Sequence, residues 1–450
     1  MKNIFLVLLT LTVGTISYGQ TNSDSLIKID TDQLKQDFII FKDSLQKLHP
    51  SLYRYQNKDV LTKKFDSCFA TLNKQMTVIE YYKIISFLVS SIEDGHTSCF
   101  LPREAIKHML SDKLFPLQLR FINNQAYIPC KTKKFPSATE IISVDGEPIA
   151  EIKEKLFCYL PSDGKIQTEK YWEMNNGDNP FFILYYLIYG QKSLFNVSYK
   201  TKTGKIESTV INADNFKNLE CFPKPVDIDK YLLLDYQQNN TAILTIKTFN
   251  EDFLKKSNED FANFLKSSFQ EINQKGIKTL IIDLRNNGGG QDAFGSLLYS
   301  YLTDKPFSYY ASLESVSKKF TTNDHSNLAV QTPNENNFKN TVLFLINGKS
   351  FSTTAEFCSI AKSNKRGKFI GEETGGGYYG NTSGERTTIV LPNSKIKINI
   401  PLDKYVMAVQ KAKYKDRGII PEFIIVPTIN DIIQNKDVQL NTALKLATRK

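Results

Sequence analysis

A mixed α/β fold is the expectation for this chain, and three features predict it. Between residues 230 and 430, short buried strands alternate with helical stretches, the mark of an α/β core. Residues 25–110 instead carry apolar side chains at intervals of three and four, the period of helices. From Leu114 to Val144 the period falls to two, which is the period of strands. At 450 residues the chain is too long for one core and suits two or three domains of roughly 150 residues each.

The elements follow in order. Lys2, the apolar run Ile4–Val13 broken by Thr10 and Thr12, and Ser17-Tyr18-Gly19 before Gln20 read as a signal peptide over residues 1–19. The run falls short of the roughly 20 residues that span a bilayer, so stable membrane insertion is not expected. The mature protein is expected to be exported, periplasmic or secreted. Next comes the helical module, residues 25–110. Leu34, Phe38, Phe41, Leu45 and Leu48 form one face that ends at His49-Pro50, and Leu61, Phe65, Phe69 and Leu72 repeat it. Thr77 with Glu80 is a capping box opening a third helix, which passes Leu88 and ends at Asp94-Gly95.

Residues 111–225 read as a β-rich module with a connection. Leu117, Leu119 and Phe121 alternate with polar residues, Ala126–Ile128 is a short apolar run, and Glu140–Val144 enters the turn Asp145-Gly146. Ile149–Leu156 follows as a helix. The pattern suggests a PDZ-like module in degenerate form, since no Gly-rich carboxylate loop is recognisable. Residues 160–225 show no clear period apart from the apolar block Phe181–Tyr189, read as buried core. Residues 226–430 form the α/β core and 431–450 a C-terminal segment. The core reads as a strand at Ala242–Ile246, a helix over Phe253–Ile272, and a buried strand at Thr279–Leu284. After a polar connection at 303–340 come a strand at Val342–Ile346 and a helix over Thr353–Ala361.

Composition excludes several classes of function. Lys and Arg number 57 against 47 Asp and Glu, a net +10, but the basic residues are scattered. A nucleic-acid protein needs a concentrated basic face, so no nucleic-acid partner is expected. The chain has six cysteines and four histidines, with no CxxC and no HxxxH, so neither a zinc site nor any other metal is expected. The cysteines (Cys68, Cys99, Cys130, Cys158, Cys221, Cys358) are sparse and sit among apolar neighbours, which predicts buried free thiols.

Three segments are suited to chemistry. Gly288-Gly289-Gly290, between a strand and a helix, fits either a tight turn or a set of backbone N–H groups facing an anion. Phosphate-loop and dinucleotide spacings both fail here: the glycine a phosphate loop requires before Gly348 is Leu343. Ser350-Phe351-Ser352-Thr353-Thr354-Ala355-Glu356 opens a helix. Capping accounts for one of those four hydroxyls better than for all of them. A hydroxyl there also suits a nucleophile, with the helix N-terminus facing the developing charge. Asp94-Gly95-His96-Thr97 carries a histidine in a Gly-flanked turn, and a serine nucleophile needs a base of near-neutral pKa. His49 reads as helix termination before Pro50, and His108 and His325 lie in polar surroundings.

Three of the chain's segments share an order. Asp283-Leu284-Arg285-Asn286-Asn287-Gly288-Gly289-Gly290, then Asn347-Gly348-x-Ser350-x-Ser352, then Gly371-Glu372-x-Thr374-Gly375-Gly376 resembles the tail-specific or C-terminal processing serine peptidases. That family's relatives include the tricorn core and the interphotoreceptor retinoid-binding protein. Gly418-Ile419-Ile420-Pro421-Glu422 resembles its closing signature, with Glu for Asp. The resemblance covers residues 230–430 and reaches back to Asp94-Gly95-His96-Thr97. It implies a crotonase-like (ClpP-like) catalytic core. It implies Ser352 as nucleophile and the amides of Thr353 and of Gly289 or Gly288 as the oxyanion hole. The lysine of the Ser-Lys members is replaced by Gly377, so the base falls to His96, as in tricorn-like members. The serine that precedes the histidine there is Gly95 here, and the distant orienting acid falls nearest Lys415 or Asp416, with Asp416 as the candidate.

The expected function is that of an exported serine endopeptidase. It would work by a Ser-His acyl-enzyme mechanism on protein or peptide substrates, with no cofactor and no particular oligomeric state implied. A catalytically inactive peptide- or lipid-binding protein on the same fold is the alternative. Retention of both Ser352 and His96 weighs against it.

Overall fold

The computed structural model describes residues 28–222 and 228–448. The expected signal peptide, residues 1–19, lies outside the described residues. Among these, no helix is long and apolar enough to cross a membrane.

The core is a six-stranded sheet in the order 232–237, 241–246, 279–283, 341–346, 368–371, 423–424. Its first pair is antiparallel and every later pair parallel. Period-two alternation divides the central strands between two apolar layers. Leu280, Ile282, Val342, Phe344 and Ile346 face the larger layer, whereas Ile281, Leu343 and Leu345 face a smaller one closed by Ala443. Ala443 belongs to the helix Val438–Ala447, whose N-terminal Asp437 pairs with Arg285 at 2.7 Å. Arg285 also pairs with Asp283, so this part of the Asp-Leu-Arg motif fastens the C-terminal helix under the sheet.

The helix Thr31–Leu48 buries Leu34, Phe38, Phe41 and Leu45, and the capping box of Thr77 and Glu80 heads Val78–Ser91. The described part of the stretch 160–225, residues 160–222, is more regular than expected, with a helix Thr168–Asn176 and the paired strands Leu194–Lys200 and Ile206–Asn212. Those strands extend a sheet with Glu140–Val144, Gln125–Tyr127 and Arg120–Ile122, and the helices 31–91 share its apolar cluster. The expected helix Phe253–Ile272 is two helices, Glu251–Lys256 and Phe261–Gln274. Asn258 turns left-handed at φ 56° between them, and the side chain of Asp260 caps the second. The connection 303–340 carries a strand, Tyr310–Ser315.

Free thiols were expected for all six cysteines, but Cys130 and Cys221 form a disulfide across 91 residues. The sequence hides this because the proximity is made by Glu220. Its backbone bonds to Pro116 and Gln118 and its carboxylate accepts from the amide of Lys133. Cys158 is exposed rather than buried, and only Cys358 is a fully buried free thiol.

One strand matters most for the site. Ser98–Phe100 leaves the helical region and pairs antiparallel with Lys397–Asn399, in a second sheet that also holds 310–315 and 382–390. His96 stands two residues before that pairing.

Candidate active site

The buried strand Thr341–Ile346 ends in a turn from Asn347, and Ser352 follows at φ 55°, ψ −128° as the residue heading the helix Thr353–Ser363. A non-glycine residue there costs on the order of 1–3 kcal/mol, so the surroundings must impose it. They do so through the glycine loop. Phe351 N–H donates to Asn287 O, Ser350 Oγ donates to Leu284 O, and Thr353 Oγ1 donates to Gly290 O. Ser350 and Thr353 therefore hold the loops together. The Ser352 side chain makes no capping bond, so its hydroxyl is free for other work.

His96 Nε2 lies 3.2 Å from Ser352 Oγ. The imidazole stacks on Phe351 with ring centroids 4.5 Å apart. A Cβ at Gly95 would come within 2.9 Å of the Phe351 ring. The missing serine before His96 is thus a packing requirement, and an aromatic face lies against the ring instead. Burial pushes the His96 pKa down to about 4. Asp94 opposes this, and the charges of Lys349 and Arg54 add to it. Its Nδ1 is buried and has no hydrogen-bond partner among the described residues.

Asp94 is the anchor of the His96 turn. Its Oδ1 accepts from the His96 backbone amide, and its Oδ2 accepts from Thr97 Oγ1, Thr382 Oγ1 and His49 Nε2. His49 Nδ1 accepts from Ser51 N–H, which leaves Nε2–H to donate to Asp94 at 2.7 Å. Burial alone would raise the Asp94 carboxyl. His49, the nearby His96 and Thr97 outweigh it and hold the group well below the carboxylate range. His49 is therefore more than a helix terminator, a role that nothing in its local sequence signalled.

Asp163 was also missed. It is buried, and its oxygens accept from the amides of Gly95 (2.9 Å) and Gly377 (3.0 Å). A side chain at Gly377 has no space, because its Cβ would overlap Tyr55 Oη. Asp94, His96 and Asp163 each offer one donor atom within 4.8 Å of the others, the grouping among the described residues suited to a cation. Both oxygens of both carboxylates already accept hydrogen bonds.

Lysine chemistry finds no support at this site. Burial pulls Lys349 down, but the carboxylates of Glu173 and Glu169 outweigh it and hold the ammonium above its usual range. Nζ pairs with Glu173 at 2.9 Å and lies over the Trp172 ring. Cys358 is no better placed as a nucleophile, since burial raises its thiol far above the usual value.

The expected oxyanion donors gather beside the serine. A Cβ at Gly289 (φ 91°) would lie 2.7 Å from Ser352 Cβ and 2.9 Å from Thr353 N. The Gly289 amide, however, donates to Asn287 Oδ1 at 3.0 Å. Thr353, first in its helix, presents one of the N–H groups that have no acceptor within the helix. Gly288 adjoins Lys349, whose Cε would be 3.5 Å from a Cβ there. Asp416 is not joined to His96 by any hydrogen bond among the described residues; its carbonyl accepts from Lys165 N–H at 2.8 Å. A cavity of about 1020 Å³ runs between the β-rich region and the core, bordered by Arg120, Trp172, Asn286 and Arg417.

Residues 240–425 match the model of Peptidase family S41. Over these residues the chain is similar to that peptidase family. No curated protein matches it. Among solved structures, mature CPAF superposes with TM-score 0.62 at 14% identity, covering 93% of this chain and 96% of that one. A putative peptidase from Parabacteroides merdae gives TM-score 0.50 at 14% identity, covering 93% and 97%. At such identities the likeness extends to the fold alone. Within the S41 region, two family-like segments bond to each other. Glu373 pairs with Arg417 and accepts from the Gly418 amide, and Thr374 Oγ1 accepts from the Ile419 amide.

Proposed function

We propose that this chain is an exported serine endopeptidase that cleaves peptide bonds by a tricorn-type Ser-His mechanism on a crotonase-like core. The observation carrying this reading is the 3.2 Å approach of His96 Nε2 to a Ser352 hydroxyl that no capping bond occupies. Neutral His96 takes the Ser352 proton as Oγ bonds to the substrate carbonyl carbon. The oxyanion rests on the Thr353 amide and on the glycine loop at Gly288 and Gly289, the latter exchanging its bond to Asn287. The C–N bond breaks as His96 returns the proton to the leaving amine. Water then repeats the sequence to free the acyl group. Each oxyanion donor typically contributes roughly 10²–10³ in rate.

In this reading residues 25–110 and the degenerate PDZ-like region 111–225 bind the substrate chain beside the core 226–430; the 1020 Å³ cavity between them is lined by neither Ser352 nor His96. Reaction with a fluorophosphonate probe tests the assignment. Wild type should be labelled and Ser352→Ala should not. Equal labelling of the two, or peptide cleavage surviving in Ser352→Ala, would remove Ser352 from the mechanism.

A further inference from the structure

An imidazole that takes a proton on Nε2 presents a second N–H at Nδ1, and that hydrogen needs an acceptor. Leaving a buried, charged donor unpaired costs more than leaving a neutral one unpaired. Among the described residues Nδ1 has no hydrogen-bond partner. Two carboxylates stand in this neighbourhood, one oxygen each of Asp94 and Asp163 lying within 4.8 Å of a ring nitrogen of His96 and of each other.

Asp94 is the more heavily engaged of the two, with three donors (His49, Thr97 and Thr382) on Oδ2 and the His96 main-chain amide on Oδ1. Asp163 accepts one amide on each oxygen, which leaves a lone pair free on both. The first of those amides is Gly95, adjacent to His96, so the carboxylate and the ring are held to the same turn. The second is Gly377, the position where Ser-Lys members of the resembled family carry their lysine. The turn presenting Asp163 is fixed from the other side by Asp416. Gly164 is left-handed at φ 56°, with room for no Cβ against the Asp416 carbonyl, which also accepts from Lys165 N–H. Asp416 thus acts on this turn through its main chain.

We infer that Asp163 is the positioning carboxylate of this active site, accepting the Nδ1–H of His96 as Ser352 gives up its proton. The inference rests on the Ser352–His96 pair of the proposed function. The remaining approach closes directly or through one water, as catalytic hydrogen bonds commonly do when substrate binds.

The charge environment makes the role visible in a pH profile. Asp94, Lys349 and Arg54 face His96; Asp94 and Arg54 face Asp163, and Tyr55 and Glu169 lie within its field. Burial and the Asp94 charge push Asp163 up to about 7, against the pull of the Gly95 and Gly377 amides and Arg54. His96 lies lower, at about 4. The neutral-range ionisation of this site then belongs to a carboxyl group, and only its ionised form accepts from both an amide and the imidazolium.

The test is a pH–rate profile of the full-length enzyme on a fluorogenic peptide. Wild-type kcat should rise with pH through an ionisation near 7. Asp163→Asn should lose that limb and lower kcat by roughly 10²–10⁴-fold with little change in KM. A role in folding alone would leave the limb in place. Should Asp163→Asn fail to fold, the wild-type fluorophosphonate adduct with 15N-labelled histidine provides the second measurement. A deshielded, hydrogen-bonded Nδ1–H proton on His96 supports the inference, and its absence overturns it. Retention of the limb and of turnover in Asp163→Asn also overturns it, as does loss of the limb in Asp416→Asn alone. If His96→Ala or Ser352→Ala stays active, the underlying pair fails instead; if both are inactive while Asp163→Asn is normal, only this inference fails.

Discussion

The two halves of the active site are held by different means. The serine side is local. Ser352 sits between a buried parallel strand and the helix it heads, tied by main-chain and short side-chain bonds to the neighbouring glycine loop. The histidine side is assembled across the chain. Its strand Ser98–Phe100 is annexed to 397–399, Asp94 reaches Thr382, Asp163 reaches Gly377, and Arg54 donates to the carbonyls of Tyr379 and Tyr405. The proposed nucleophile is therefore preorganised by the core, whereas the proposed base depends on how the N-terminal half docks. Damage to the first should abolish chemistry without loosening the fold. Damage to the second should do both.

The largest expected effect separates these cases most sharply. Ser352→Ala should lower kcat by roughly 10⁴–10⁶-fold with an almost unchanged melting temperature. Ser352→Gly should be equally inactive yet more stable by about 1 kcal/mol, because glycine tolerates φ 55° without strain. A Ser352→Gly enzyme that melts lower than wild type would show that the backbone is not strained there. His96→Ala should match the loss of turnover.

Asp94→Asn comes next and should fail on both counts. Replacing a buried carboxylate that accepts from His49, Thr97 and Thr382 loses charge-assisted hydrogen bonds worth roughly 1.5–3 kcal/mol each, and turnover should fall with it. The pH dependence has a definite sign. The native Asp94 carboxyl is depressed, so its stabilisation is complete above the unfolded value of about 3.9 and is lost as pH falls below it. Melting curves between pH 5 and 2 should drop more steeply for wild type than for Asp94→Asn. Parallel curves would mean that the carboxylate contributes nothing to docking. Asp163 works in the opposite direction. A carboxyl raised to about 7 lowers stability as pH climbs from about 4 to 7, and Asp163→Asn should flatten that part of the curve.

A smaller effect is expected for the paired Cys130→Ser and Cys221→Ser variant. The loss should be about 2–4 kcal/mol, typical of a disulfide, with kcat preserved because the bond braces the β-rich region rather than the catalytic turn. A large fall in kcat would mean that the docking of the two halves depends on that bridge. The smallest effect belongs to Cys358→Ala, which should leave turnover unchanged and cost about 1 kcal/mol of packing.

The same contrast explains what could be read from the sequence. Ser352, the glycine loop and the closing Gly418–Glu422 segment each carry a short motif within one compact turn, although Phe351 reaches Asn287 and Thr374 reaches Ile419 across the chain. His96 was legible because its Asp-Gly-His turn is equally compact. His49, Asp163 and Tyr55 carry no local signature. Each is ordinary in its own segment and gains its role through a partner far along the chain: Asp94, Gly377, or the space left at residue 377. The disulfide was misjudged for the same reason. Apolar neighbours suggested free thiols, while the contacts of Glu220 that draw Cys221 toward Cys130 are long-range. The helices and strands of residues 160–222 escaped notice because their apolar residues face several partners and show no single period.

The annexed strand also sets a timetable for synthesis. Residues 98–100 leave the ribosome early, but the edge they pair with, residues 397–399, is made near the end. A nascent chain already containing both His96 and Ser352 has no edge on which to align them until that late strand emerges. A chain cut short before residue 397 lacks this edge and is expected to lack the proposed alignment of His96 on Ser352.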